Sequence, residues 1–136
     1  MDVPTILATL GSATAWVLGL RKALHDQKAE ADVAHQEAIA ALQKAATATR
    51  SHLAELREKN EKERSNQSLV DLWLDASRKL RLLNGDLAER TFFKADYWSD
   101  PEIWTGQKVA EAKIELDQLI AALMDFSREC CPSGET

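Results

Sequence analysis

Glycine and proline are scarce in this chain of 136 residues, which has five of the first and three of the second. That is about half their usual combined share, and it argues against sandwiches, barrels and disordered tails, all of which consume turn-formers. Between Gly19 and Gly85 there is neither residue over a run of 65 positions, so helices there can be interrupted only by polar sequence. Cysteine is confined to the adjacent pair Cys130 and Cys131. That pair makes neither a disulfide framework nor a metal-ligand spacing. It fits a reducing, cytoplasmic compartment, with a bridge between two chains as the alternative.

A basic patch is missing too. The net charge of −5 divides into −1 for residues 1–20, +1 for 21–64, −1 for 65–100 and −4 for 101–136. The densest cationic cluster, Arg78, Lys79 and Arg81, is flanked by Asp71, Asp75 and Asp86, and nucleic acid is not expected as a partner because phosphate binding needs uncompensated Lys and Arg. Histidine is limited to His25, His35 and His52, whose spacings put no two on one helical face. Asp32 and His35 share a face three residues apart, as a solvated surface pair. There is no His-Glu-x-x-His, no repeated Glu-x-x-His, no Gly-rich phosphate loop and no Gly-x-Ser-x-Gly. The sequence therefore points away from an enzyme and calls for no cofactor or metal.

What is present is helix-forming, and the expected fold is all-α: an antiparallel bundle of three to four helices with a long alanine-rich N-terminal helix or helical hairpin. Pro4 suits the first turn of a helix and Asp2 its positive end. Leu10, Ala13, Val17, Leu20 and Leu24 recur at three- and four-residue steps, and the seam continues as Ala31, Ala34, Ala38, Ala41, Ala45 and Ala48. Alanine on a contact face allows close helix packing, while Ile39, Leu42, Leu53 and Leu56 widen the stripe to what a bundle needs. As one helix the first segment outreaches the later ones, so it either breaks near His25–Lys28 into a hairpin or finds a partner outside the chain.

Residues 57–68 contain no apolar side chain and form a solvated helix end and connection, with the turn near Ser65 to Ser68. The next helix carries Leu69, Trp73, Ala76, Leu80, Leu83 and Leu87 and is interrupted at Asn84-Gly85, a good C-cap pair, after which Asp86 and Glu89 resemble a capping box. Residues 91–100 look like an irregular connection, and Asp100-Pro101 like the start of a last helix. Gly106 is a possible kink in it, and Val109, Ala112, Leu116, Leu119, Leu123, Phe126 and Cys130 form its seam. Cys130 on that seam reads as a small buried thiol rather than a redox or acylation site. The expected division is 1–26 as a hydrophobic N-terminal helix, 27–131 as the bundle and 132–136 as a frayed tail.

Two features carry the functional reading. Val3 to Leu20 holds 18 residues without a charge, about 27 Å of helix and near the minimum for a bilayer span. Gly11, Ala15 and Gly19 form a small-residue face, with Arg21-Lys22 just after it. Four hydroxyl side chains, Thr5, Thr9, Ser12 and Thr14, weigh against insertion, and Asp2 without any Lys or Arg weighs against a signal peptide. The association face is thus Leu10, Gly11, Ala15, Val17, Gly19, Leu20 and Leu24, serving a homo-oligomer or another helical protein. The alternative is a single-pass membrane protein spanning 3–20.

The second feature is aromatic. Five of the eight aromatic residues, Phe92, Phe93, Tyr97, Trp98 and Trp104, fall within 13 positions. With Arg90 and Lys94 they form either a partner-binding loop or a plug that closes the end of the bundle. A third reading makes that loop, with Asp96 and Asp100, the pocket of a small ligand-binding or enzymatic bundle.

Overall fold

The computed structural model describes the backbone from Val3 to Glu129 and the side chains from Gly19 to Glu129. The side chains of Leu10, Gly11, Ala15 and Val17, the cysteine pair and the tail 132–136 lie outside the described residues. The elements in order are α1 (Val3–Lys59), α2 (Gln67–Leu80), α3 (Gly85–Ser99), a 3-10 turn (Pro101–Ile103), α4 (Gly106–Ala112) and α5 (Leu116–Glu129). No strand occurs among the described residues. The all-α expectation holds, and of the two forms offered for the first segment the structure has the long helix: His25–Lys28 is helical throughout. Two units share the chain, residues 1–33 and residues 34–136.

In the first unit every described residue from Gly19 to Ala31 is exposed. In the second, four helices pack together around Leu42, Trp73, Leu80, Trp98, Ile114, Leu119 and Phe126, all nearly or fully buried. Ala38 and Ala45 are fully buried and Ala41 nearly so, as an alanine contact face requires. The buried stripe of α1 is rotated slightly from the expected seam: Leu42 and Thr49 are fully buried, Ala48 is half-buried and Ala34 exposed.

Several boundaries differ from the sequence reading, each for a local reason. Helix α1 stops at Lys59 rather than near Ser65. Asn60 adopts a left-handed conformation with φ 53°, its N–H reaches Arg57 O, and the Glu61 N–H reaches Leu56 O at 2.8 Å. This is the double closure of a Schellman motif, with asparagine in the place glycine usually takes.

At 84–85 the expected C-cap is an N-cap. The Asn84 N–H still closes the preceding turn on Leu80 O at 2.8 Å, but its side chain accepts from Leu87 N at 3.0 Å and so starts α3. Asp86 lies inside that first turn, not at its cap.

The aromatic segment is not an irregular connection. Residues 91–99 are the second half of α3, since nothing from Asp86 to Asp100 breaks a helix. Asp100-Pro101 opens only the three-residue 3-10 turn. Gly106 is the first residue of α4, capped by the Thr105 hydroxyl on Lys108 N at 3.1 Å, not a kink. The last helix is two, because α4 ends at Lys113 in a left-handed conformation, φ 57°. Lys113 N–H goes to Ala110 O and Ile114 N–H to Val109 O, a second Schellman motif whose hydrophobic partner is the fully buried Ile114.

Candidate functional site

On the N-terminal face, Leu20 is 43% and Leu24 56% exposed. A Cβ built on Gly19 meets nothing within 4 Å, so no described neighbour of this chain requires glycine there. The remaining face residues, Leu10, Gly11, Ala15 and Val17, lie on the helical backbone of α1 with side chains outside the described residues. Among the described residues no helix is long and apolar enough to cross a membrane; residues 3–18 of the expected span lie outside those side chains.

The aromatic residues come from the C-terminal half of α3 and from the segment just after it. Helical spacing puts Thr91, Ala95 and Trp98 on the core side and leaves Phe92 exposed, with Phe93 and Tyr97 between. Trp98 stands edge-on to Tyr97 at 5.3 Å and to His52 at 5.4 Å, and its indole N–H is buried without a hydrogen-bond partner among the described residues. Trp104 is nearly buried, tilted against Phe93 at 6.1 Å. It donates to Asp96 Oδ2 at 2.9 Å, with the Lys108 ammonium over its ring at 4.3 Å. Trp98 and Trp104 therefore belong to the core cluster, and Phe92 is the aromatic of the set that faces solvent.

Arg90 is committed to structure. Its guanidinium donates to Lys113 O at 3.1 Å and Gln118 O at 3.3 Å, and so spans the α4–α5 junction from α3. Its distance to Asp86, four residues earlier, is 4.0 Å, a weak attachment beside those two bonds.

The polar heart of the region is Lys94, Tyr97 and Glu63. Tyr97 donates its phenol proton to Glu63 Oε2 at 2.6 Å, and the Lys94 ammonium lies 5.0 Å from the Tyr97 ring centroid. Lys94 is only 6% exposed. Burial pushes its ammonium down from 10.5 to about 8, against the opposing pull of Glu63 and Glu115. Burial also pushes the Tyr97 phenol above its ordinary range, reinforced by the bond to Glu63 and by that carboxylate's charge. Glu63 and Glu115 both line an open cleft of about 520 Å³ whose other walls include Arg50, Leu53, Arg57 and Leu116. Sequence reasoning named Lys94 and Tyr97 but not Glu63, Arg50 or Arg57. The arginines sit two turns apart on α1, at a spacing that was available to find them.

Two histidines have structural partners. His35 stacks flat on Phe126, centroids 3.9 Å apart and planes 11° apart, and its Nε2 lies 2.9 Å from Phe126 O in the last turn of α5. A carbonyl can only accept, so Nε2 carries the proton, and the imidazole satisfies a carbonyl at a helix end. The sequence reading set His35 beside Asp32 and did not foresee this contact with Phe126. His52 Nε2 lies 3.4 Å from Asn66 Nδ2. Among the described residues no group of histidine, cysteine and carboxylate side chains is arranged to hold a metal ion. Comparison of the chain with protein-family models, with curated proteins and with solved structures finds no match.

Proposed function

We propose that this protein is a non-enzymatic helical assembly module that associates, with a second copy of itself or with another helical protein, through the N-terminal part of α1. One observation carries the reading. From Gly19 to Ala31 no residue is buried, although Leu20, Leu24 and, beyond them, Val33 at 55% exposure are large apolar side chains. A helix whose apolar side chains meet only water is marginal on its own and gains its stability from a packed partner. Leu10, Val17 and Leu24 lie at seven-residue intervals, in register with Ala31, Ala38 and Ala45 of the same helix, a repeat that suits helix-on-helix packing. Gly11, Ala15 and Gly19 add a face on which a partner backbone can approach closely. For the second unit, the short connection from Arg81 to Asn84 favours antiparallel neighbours for α2 and α3.

Size-exclusion chromatography with light scattering, without detergent, tests the reading on the full chain, on a chain beginning at Gln27 and on Gly11→Leu/Gly19→Leu. The expected result is an oligomer for the full chain and a lower mass for the other two. Equal mass in all three overturns it. Recovery of the full chain only in detergent overturns it in favour of a membrane anchor.

A further inference from the structure

The chain has three asparagines, Asn60, Asn66 and Asn84, and of these Asn84 alone is followed by glycine, Gly85. The fold does not demand glycine there. A Cβ built on Gly85 meets nothing within 4 Å, its φ is not positive, and alanine would hold the first turn of α3 better. What the glycine leaves is chemical. With no side chain to hinder it, the Gly85 amide nitrogen can reach the side-chain carbonyl carbon of Asn84 and close a five-membered ring, which is how asparagine is thermally labile.

The folded corner between α2 and α3 holds these atoms apart. Asn84 has ψ 93°, which turns the Gly85 nitrogen away from the Asn84 side chain, whereas the ring needs the two on the same side. Rotation into the ring would swing the Asn84 carbonyl off the Ala88 N–H, which it accepts at 2.9 Å. It would also draw the side-chain oxygen off Leu87 N, 3.0 Å away. Leu87 is buried, and Ser77 of α2 donates to Ala88 O at 2.7 Å, so this turn opens only when its packing on α2 loosens.

We propose that Asn84-Gly85 is a self-modification site gated by the opening of this corner, with water as its co-reactant. The Gly85 nitrogen gives up its proton and bonds to Asn84 Cγ. The Cγ–Nδ2 bond breaks, and that nitrogen leaves with the proton as ammonia, giving a succinimide. Water then opens the ring. Cleavage at Cγ gives aspartate, which keeps an oxygen for Leu87 N and restores the cap. Cleavage at the backbone carbonyl carbon gives isoaspartate, whose main chain runs through Cγ, so the group that capped Leu87 N is spent. Water is consumed, ammonia is released and no atom changes oxidation state. An opening of the corner is thereby fixed in the covalent chain, and the isoaspartyl product cannot rebuild the start of α3.

The test is incubation of the full chain at mildly alkaline pH, in buffer and in guanidinium chloride, with each asparagine followed by peptide mass spectrometry and isoaspartate resolved by chromatography. In denaturant Asn84 should convert faster than Asn60 and Asn66, whose following residues, Glu61 and Gln67, carry side chains. In buffer Asn84 should convert roughly tenfold more slowly than in denaturant, the factor that corresponds to an asparagine cap of ordinary strength. Ser77→Ala should raise the rate in buffer and leave that in denaturant unchanged, and Gly85→Ala should slow conversion in both. Equal rates for Asn84 in buffer and in denaturant overturn the proposal. So does conversion in denaturant no faster than that of Asn60, and both readouts come from the natural chain.

Discussion

The Thr49 hydroxyl accepts the indole N–H of Trp73 at 2.9 Å and donates its own proton to Ala45 O at 2.8 Å, with both residues fully buried. A hydroxyl suits this place because it both gives and takes a hydrogen bond. Thr49→Val keeps the shape but orphans the Trp73 donor, and about 1–3 kcal/mol of stability should be lost. Thr49→Ser keeps both bonds and should lose about 1 kcal/mol, the share of one methyl group. Urea unfolding of the two variants separates these terms; equal losses would mean that the hydrogen bond contributes nothing.

Asn66 joins three helices. Its side-chain oxygen accepts Leu69 N at 3.2 Å and so caps α2, its amide lies 3.4 Å from His52 of α1, and its backbone N–H donates to Trp98 O at 2.9 Å in the last turn of α3. Asn66→Ala should cost about 1–2 kcal/mol, mostly the cap. Asn66→Asp keeps the cap acceptor and should recover most of that loss. Thermal unfolding of the pair checks the order.

Stability should change with pH through Lys94. The unfolded chain takes up this proton below about 10.5 and the folded chain only below about 8, so between those values folding releases a proton and stability rises with pH. Below pH 8 the full cost is present, on the order of 3 kcal/mol. Tyr97 acts oppositely at higher pH: the unfolded phenol loses its proton near 10 while the folded one keeps it, and stability falls above that point. Lys94→Met should be more stable than the natural chain at pH 7 and should lack the rise between pH 8 and 10. Urea midpoints measured across that range decide, and parallel curves for the two proteins would contradict the assignment.

Lys113 holds a left-handed conformation that a side chain tolerates poorly. Lys113→Gly should therefore stabilise by about 0.5–1 kcal/mol. Its carbonyl, the part of Lys113 that Arg90 uses, is unchanged by the substitution. A loss in melting temperature would mean that the lysine side chain contributes more than the strain costs.

Periodicity and the absence of breakers sufficed for the helical class and for Ala38, Ala45, Trp73, Leu119 and Phe126 in the core. They failed where a residue has two local roles. Asn84-Gly85 carries the chemistry of a helix end and of a helix start, and only the direction of the Asn84 side chain, toward Leu87, decides between them. The aromatic cluster looked like a loop because large side chains of mixed exposure blur the apolar stripe, yet its backbone meets no obstacle to helix. The break at Lys113 is invisible because the seam from Val109 to Phe126 keeps its spacing across it; burial of Ile114 holds the turn. Of the Lys94, Tyr97 and Glu63 group, the first two were in view, whereas Glu63 lies in a stretch legible only as solvated, and its bond to Tyr97 spans 34 positions.

The junction at Asn66 also bears on how the second unit opens. Helix ends ordinarily fray independently, each amide exchanging with solvent at its own low cost. Here the end of α3 and the start of α2 meet in one residue beside His52 of α1, so releasing either end exposes the other. The amides of Leu69, Val70 and the α3 terminus should exchange as one cooperative group, and its slowest member sets how often the tryptophan core is open to water.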